Sequence, residues 1–168
     1  MQLQSLNDVF MHELRDLYDA ERQLTQALPK MAQAASNEEL RSAFEHHLNE
    51  TQDHVRRLDE IFGQVGIGAS SETCQAMQGL VREGEEIVKA QGDPNAKDAA
   101  LIAAAQRVEH YEIAAYGTAR TLAGELGFDE AQDLLDQTLD EESNADKLLT
   151  KIATGGMFKS GVNQQATA

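Results

Sequence analysis

The chain has 168 residues, of which 41% are hydrophobic and 26% are charged, and its net charge is −15. This length fits one domain with a sizeable core, and the acidity disfavours binding to nucleic acid or to an anionic membrane surface, both of which need clustered Lys and Arg. The sequence has only two prolines and is rich in Ala, Leu, Glu and Gln, which favours an all-α fold.

Two long amphipathic helices are predicted at the start of the chain. The first follows an N-cap at Ser5, with Asp8 completing a capping box, and carries apolar residues at three- and four-residue steps to about Ala35. The second follows an N-cap at Asn37 and ends near Val65, where a glycine-rich stretch begins. A break of about two residues makes the two helices an antiparallel hairpin.

A long connection, residues 67–97, separates this hairpin from the rest of the chain. Its apolar residues predict a minor helix, weakened by Gly79 and Gly84. This stripe is too apolar to lie free in water, so we expect it to cover the bundle or the interface of a homodimer. The stripe consists of Cys74, Met77, Leu80, Val81, Ile87 and Val88.

Two further long helices are predicted, over residues 95–125 and 129–154, with a break at Gly127. They form a second antiparallel hairpin, and the long connection allows the second and third long helices to run parallel. One long crossover of this kind is the ferritin-like four-helix topology. Residues 1–156 are therefore predicted to form the bundle. The polar, small residues of 157–168 predict a disordered tail.

The single cysteine, Cys74, excludes an intramolecular disulfide, which fits a reducing compartment, and we expect it to be a small buried apolar residue. Charged residues such as Asp8 and Arg15 interrupt the N-terminal region, so no signal peptide is predicted. No apolar run reaches the length of a membrane span. We therefore expect a cytoplasmic protein.

Glutamates inside the apolar faces are the unusual feature of the long helices. Glu109 and Glu112 fall within the buried face of the third, and no Lys or Arg shares the centre of that face. Counted from the tight turns, Glu21, Glu50, Glu112 and Glu142 each lie about 15 residues away, so each hairpin holds its carboxylates at matching height. Buried carboxylates cost several kcal/mol unless they are paired or bind a metal.

Two divalent cations would neutralise such a cluster. We predict as ligands Glu21, Glu50, His54, Glu109, Glu112, Glu142 and Asp146. His47 is expected to be a core or hydrogen-bonding residue, Glu141 a solvated neighbour of Glu142, and Tyr116 a packing residue that alternatively contacts a ligand or quenches a radical. Hard oxygen donors with one or two imidazoles favour iron or manganese, with zinc as a further candidate.

Several motifs also carry a family resemblance. The glutamates above resemble the ligand scaffold of ferritin-like di-metal carboxylate proteins, and the double-Glu third helix is similar to rubrerythrin. More closely, YDAERQL at residues 18–24, HLNET at 47–51 and YEIAAYG at 111–117 resemble the YciF/YciE-like family of bacterial stress-associated proteins. The resemblance covers about residues 3–155 and implies a rubrerythrin-like bundle, metal binding (di-iron in the ferritin-like pattern) and a homodimer.

The sequence departs from the ferritin-like pattern, which has His three residues after Glu on two helices. Three residues after Glu50 stands Asp53, followed by His54, and helical phase favours His54 unless a π-type bulge rotates the turn. After Glu142, Ala145 and Asp146 take these positions. No Cys pair is present for a rubredoxin-type iron centre.

Three functions stay open at this stage. The first is a di-metal oxidoreductase of the peroxidase, catalase or oxidase type, acting on peroxide or oxygen. The second is a metal-binding stress protein without turnover, and the third is a helical structural or partner-binding module. The carboxylate pattern argues against the third. We favour a di-metal ferritin-like protein active in oxidative or general stress, with Arg22 or Arg120 as candidate partners of the ligands.

Overall fold

The computed structural model describes residues 3–66, 68, 72–156 and 159–167. Within this part of the chain, six helices and one two-stranded antiparallel ladder are present, an all-α architecture as predicted. Among the described helices, none combines the length and apolar character that a bilayer crossing requires. The elements are α1 (Leu6–Ala34), α2 (Glu38–Gln64), α3 (Gln75–Lys89), α4 (Pro94–Leu126), α5 (Asp129–Thr154), β1 (Gly155–Gly156), β2 (Lys159–Ser160) and α6 (Val162–Gln165).

Local capping chemistry fixes the ends of the long helices. Ser5 Oγ accepts from Asp8 N at 3.2 Å while the Asp8 carboxylate accepts from Ser5 N at 2.9 Å, which is the predicted capping box. Asn37 Oδ1 accepts from Glu39 N at 2.9 Å at the start of α2. Gly127 ends α4 with φ at 75°, a left-handed conformation that glycine adopts without steric cost. The predicted bounds of these helices are thus confirmed to within a residue or two.

The four long helices form a ring in which every neighbouring pair is antiparallel. Both α1 and α5 pack against α2 and α4. Asp98, near the start of α4, accepts from Ser36 N at 2.9 Å and from Asn37 N at 2.7 Å, so α4 begins beside the α1–α2 turn. At the other end Phe10 stacks on Phe128 at 5.7 Å. Consequently α2 and α4 start at the same end and run parallel across the diagonal, as predicted.

Helix α3 carries the connection along the outside of α1 and α4. Cys74 N donates to Asp19 Oδ2 at 2.9 Å midway along α1, and Lys30 Nζ lies 2.7 Å from Glu85 Oε1 nearer the end of α1. Met77 is buried, and the rest of the predicted apolar stripe packs against the core of the bundle. The crossover and its minor helix are therefore confirmed. The homodimer stays a prediction.

The C-terminal segment folds back onto the bundle, where the sequence predicted disorder for residues 157–168. Gly156 pairs with Lys159, and Val162 at the start of α6 is 1% exposed in the main apolar core. A Cβ on Gly155, whose φ is 72°, would meet Gly161 N at 2.3 Å, so the close return depends on glycine. The disorder prediction is wrong for residues 159–167. Residues 157, 158 and 168 lie outside the described part.

The apolar core is divided in two. One apolar cluster fills the end of the bundle near the α1–α2 turn, with Leu28, Phe44, Leu101 and Ile152 among its members. The other fills the opposite end, with Phe10, Leu17, Phe62 and Leu135 among its members. Buried glutamates and histidines of all four long helices lie between the two clusters.

Candidate metal centre

A layer of buried polar side chains crosses the middle of the bundle. It contains four glutamates and two histidines, each at most 5% exposed. We call this set the polar layer; its members are Glu21 on α1, His47 and His54 on α2, Glu109 and Glu112 on α4, and Glu142 on α5. The residues converge because each occupies an inward position near the middle of its helix, and the counting from the tight turns predicts this height for Glu21, Glu112 and Glu142.

The polar layer separates into two groups that share Glu142. In the first, His54 Nδ1 lies 2.9 Å from Glu142 Oε1 and 3.3 Å from Glu21 Oε1. In the second, His47 Nε2 lies 3.5 Å from Glu109 Oε1 and 3.5 Å from Glu142 Oε2, with Glu112 nearby. In each group, one ligand-type atom from every member lies within 4.8 Å of the others, the spacing expected around a single ion. Two adjacent metal positions sharing one carboxylate are therefore available.

Many oxygen and nitrogen atoms of the polar layer that could bind a metal have no hydrogen-bond partner. Neither oxygen of Glu112 has a hydrogen-bond partner, and the same is true of Glu21 Oε2 and Glu109 Oε2. The oxygens of Glu142 also lack a hydrogen bond and lie only within ion-pair distance of His54 and His47. The inward nitrogens His47 Nε2 and His54 Nδ1 likewise make ion-pair contacts with the glutamates but no hydrogen bond. Buried polar groups in folded proteins are almost always satisfied. Carboxylate oxygens and imidazole nitrogens that face one another in this way could hold a metal ion.

Burial governs the titration of the glutamates. Removal from water raises the pKa of Glu112 and Glu109 well above their usual range, and the other carboxylates nearby raise the pKa of Glu112 further. Burial also raises the pKa of Glu21, although His54 opposes the change. For Glu142, the neighbouring His47 and His54 outweigh burial and lower the pKa. Without cations, burial therefore opposes the ionisation of Glu21, Glu109 and Glu112.

The pKa values of the two histidines also rise, but the neighbouring carboxylates raise them and burial opposes the change. Burial alone would lower the pKa of His54, but Glu21 and Glu142 outweigh it and raise the pKa to about 11. Glu109 and Glu142 likewise outweigh burial at His47 and raise its pKa to about 10. In the metal-free protein both rings are thus held as cations by the carboxylates, and a divalent ion would have to displace these protons.

An ion pair between α2 and α5 contacts the outward nitrogen of His54. Arg57 Nη1 and Nη2 donate to the two oxygens of Glu141 at 2.6 and 2.9 Å, and Nη1 also donates to Thr138 Oγ1 at 3.0 Å. His54 Nε2 lies 2.9 Å from Glu141 Oε2. Burial raises the pKa of Glu141, but the hydrogen bonds from Arg57 and His54 outweigh it and lower the pKa. The expectation that Glu141 is merely a solvated neighbour is therefore wrong.

Two tyrosines of α4 are hydrogen-bonded to carboxylates. The hydroxyl of Tyr116, which is buried, donates to Glu21 Oε1 inside the polar layer. The hydroxyl of Tyr111 donates to Asp16 Oδ2 and lies 3.1 Å from Cys74 Sγ. Tyr116 thus contacts a candidate ligand, which was the alternative to its expected packing role. Cys74 is buried as predicted.

Two of the seven predicted ligands lie outside both groups. The Glu50 side chain is 25% exposed and contacts His47 Nδ1 at 3.4 Å and His46 Nε2 at 3.3 Å. The Asp146 side chain is 21% exposed and accepts from Gln106 Nε2 at 2.9 Å. The other five predicted ligands lie in the polar layer. Of the two adjacent candidates on α2, His54 is buried in the layer, whereas the Asp53 side chain is 44% exposed.

A cavity of about 120 Å³ reaches the polar layer from the surface between α2 and α5. His47 and Glu109 line its inner part, and Glu50 and His46, the latter largely exposed, line it nearer solvent. Ala145 and Leu148 provide an apolar wall. The cavity is large enough for a few water-sized molecules and brings them next to the His47 group.

Comparison with known proteins shows the family of this chain. The sequence matches the model of the "Domain of unknown function (DUF892)" over residues 5–167. The chain belongs to the DUF892 family. It is 45% identical over 165 residues to Protein YciF of Escherichia coli (strain K12), an alignment that covers 98% of this chain and 99% of that protein.

Solved structures resemble this DUF892 chain over most of its length. The E. coli stress protein YciF superposes with a TM-score of 0.86 at 47% identity, covering 89% of this chain and 94% of the other. YcfI from Rhodopseudomonas palustris gives a TM-score of 0.88 at 43% identity, covering 90% and 97%. A protein from Xanthomonas campestris pv. campestris shares the fold at a TM-score of 0.69 and 20% identity, covering 88% and 89%.

Sequence reasoning missed two components of the site in this DUF892 protein. His47 was expected to be a core or hydrogen-bonding residue and was not predicted as a ligand; it is buried and contacts Glu50, and its Nε2 also points into the polar layer. Its position one helical turn before Glu50 and two before His54 was the available signal. Arg57 was not considered, whereas the two arginines that were considered lie elsewhere. Arg120 pairs with Asp136 at 2.7 Å, and Arg22 lies over the Tyr18 ring at 5.9 Å.

Proposed function

We propose that this protein binds two divalent metal ions in the polar layer and uses them in a stress response. The single observation that carries the proposal is the set of unpaired, buried donor atoms on four glutamates and two histidines. Among the described residues no Lys or Arg pairs with these four glutamates. The ferritin-like character of the bundle belongs to the same proposal and is supported by the antiparallel ring with one long crossover.

Charge supports two ions rather than one. Four ionised glutamates carry four negative charges, and two divalent cations with neutral imidazole ligands balance them. Glu21, His54 and Glu142 would hold one ion. His47, Glu109, Glu112 and Glu142 would hold the other, with Glu142 shared between them. The oxygen-rich donor set suits iron or manganese, and zinc also accepts such ligands.

The cavity favours a reactive site over passive sequestration. Iron or manganese would supply the electrons for the reduction of peroxide or oxygen. The chain itself supplies the cavity of about 120 Å³, which ends at His47 and Glu109. The apolar wall of this cavity limits the number of water molecules in it. Tyr116 holds Glu21 in place through its hydroxyl. The resemblance to YciF, described as a stress protein, supports a role in stress.

Elemental analysis of protein purified without added metal or chelator tests metal binding. We expect two equivalents of metal per chain, and loss of metal from Glu112→Gln because that carboxylate is unpaired and fully buried. Glu125→Gln is the matched control, since Glu125 is an exposed glutamate of the same helix. A Glu112→Gln protein that keeps two ions per chain would contradict the proposal.

A peroxide-consumption assay on the metal-loaded protein separates turnover from sequestration. Ala145→Leu would narrow the cavity at its apolar wall without changing a donor atom. We expect this variant to keep its metal content and to consume peroxide more slowly. Loaded protein that consumes neither peroxide nor oxygen would leave the metal-binding stress protein without turnover as the function.

A further inference from the structure

The two histidines of the polar layer are anchored differently at their outward nitrogens. His54 Nε2 contacts Glu141 at 2.9 Å, and Glu141 accepts two hydrogen bonds from Arg57. The outward nitrogen of His47 contacts Glu50 at 3.4 Å, and Glu50 in turn contacts the largely exposed His46. One ring is therefore held by a charge-assisted network and the other by a long contact near solvent.

The bond pattern fixes which nitrogen of His54 carries a proton when the ring is neutral. Glu141 accepts from Arg57 on both oxygens, so it is a carboxylate and has no hydrogen to give to the ring. Nε2 must then be the donor in the contact with Glu141. The lone pair of the neutral ring is consequently on Nδ1, which lies between Glu142 and Glu21.

We propose that Arg57, acting through Glu141, is a positioning residue that fixes His54 for metal binding through Nδ1 and thereby sets the affinity of one metal position and not the other. The inference rests on the proposed function, because it concerns the same two ions. Arg57 and Glu141 touch neither Glu109 nor Glu112 in the described contacts. Partners that orient a metal-binding histidine typically change metal affinity by about 10–100-fold.

Titration of the metal-free protein with Zn²⁺ by calorimetry tests the inference. The unsubstituted protein should bind two ions per chain. Arg57→Met should weaken one of the two by about 10–100-fold and leave the other within about twofold. Arg57→Lys should recover part of the loss, because an ammonium pairs with Glu141 but lacks the two-point geometry. Arg120→Met is the matched control, since it removes an exposed ion pair with Asp136.

Nuclear magnetic resonance on the zinc-loaded protein gives a readout that a purely structural role would not move. The Nε2 hydrogen of His54 should give a slowly exchanging resonance that is lost or shifted in Arg57→Met. If Arg57→Met does not fold, Thr138→Val removes one hydrogen bond of Arg57 and should weaken the same position by a smaller factor.

Two results would overturn the inference while leaving the metal site intact. One is unchanged affinity at both positions in Arg57→Met. The other is an equal loss at both positions together with a lower melting temperature of the metal-free protein, which would indicate general destabilisation. An unsubstituted protein that binds no Zn²⁺ would instead overturn the proposed function, and this inference with it.

Discussion

Replacement of Glu112 by glutamine should stabilise the metal-free protein and destabilise the metal-loaded one. Glu112 is 0% exposed and neither of its oxygens has a partner. Glutamine has nearly the same shape but does not ionise. The substitution therefore removes the electrostatic cost of the carboxyl without creating a cavity, and it also removes a metal ligand.

The pH dependence of this effect follows from the direction of the pKa change. Burial, followed by repulsion from the other carboxylates, raises the pKa of Glu112 well above its usual 4.5. Below pH 4.5 the carboxyl is protonated in both the folded and the unfolded chain, and it does not affect the free energy of unfolding. Above that pH only the unfolded chain ionises, so the folded state loses about 1.4 kcal/mol per pH unit until the folded pKa is reached. The cost of burying this carboxyl therefore grows with pH above 4.5.

Thermal unfolding of chelator-treated protein between pH 4.5 and 7.5 measures this effect. The melting temperature of Glu112→Gln should exceed that of the unsubstituted protein at pH 7, and the difference should shrink toward zero as the pH falls to 4.5. With metal at about 100 times its Kd, the unsubstituted protein should gain about 2.7 kcal/mol that the variant lacks. Glu125→Gln should follow the unsubstituted protein throughout.

A lower melting temperature of metal-free Glu112→Gln at pH 7 would refute the reasoning. So would a stabilisation that does not vary with pH, because the gain must come from a group that titrates. An increase on metal addition that is equal in the variant and the unsubstituted protein would show that Glu112 is not a ligand.

Three further outcomes can be measured. His47→Ala should lower the affinity for one of two Zn²⁺ ions in calorimetry, because Nε2 of this ring faces Glu109 and Glu142. If both affinities are unaltered, His47 is a packing residue and not a ligand. Asp98→Ala should lower the free energy of unfolding, measured in urea, by about 2–4 kcal/mol, since the buried carboxylate accepts from two backbone N–H groups of the α1–α2 turn. A decrease below about 0.5 kcal/mol would be inconsistent with that role. Gly155→Ala should release the C-terminal segment, because the added Cβ would meet backbone atoms at 2.3 Å; hydrogen exchange around Val162 that stays as slow as in the unsubstituted protein would contradict this.

Periodicity and capping were sufficient to predict the long helices and their arrangement. The stop at Gly127 and the apolar stripe after it place the last long helix over residues 129–154, the span observed for α5. Tight turns are equally informative, because equal counts from a turn put two residues at equal height. That is why Glu21, Glu112 and Glu142 meet in the polar layer as predicted.

The side-chain contacts between helices could not be predicted from the sequence. A helical wheel gives the angle of a side chain on its own helix, but not the rotation of that helix relative to its neighbours. Glu50 and His47 stand one turn apart on α2, and a modest rotation decides which of them faces inward. The pairing of Arg57 with Glu141 joins α2 to α5 across 84 positions of sequence. The folded tail was missed because a short polar segment with one valine has no periodicity, although Val162 is buried.

The division of the core by a polar layer also defines the alignment of the helices. Leucine-rich faces alone permit one helix to slide along another by a turn, about 5.4 Å, with little change in buried area. Such a slip here would move Glu21 or Glu142 into one of the apolar clusters and away from the imidazoles that compensate its charge. A buried polar group that specifies register in this way lowers stability but discriminates against misaligned packings. The residues of the candidate metal centre therefore also distinguish the native alignment of the four helices from alignments shifted by one turn.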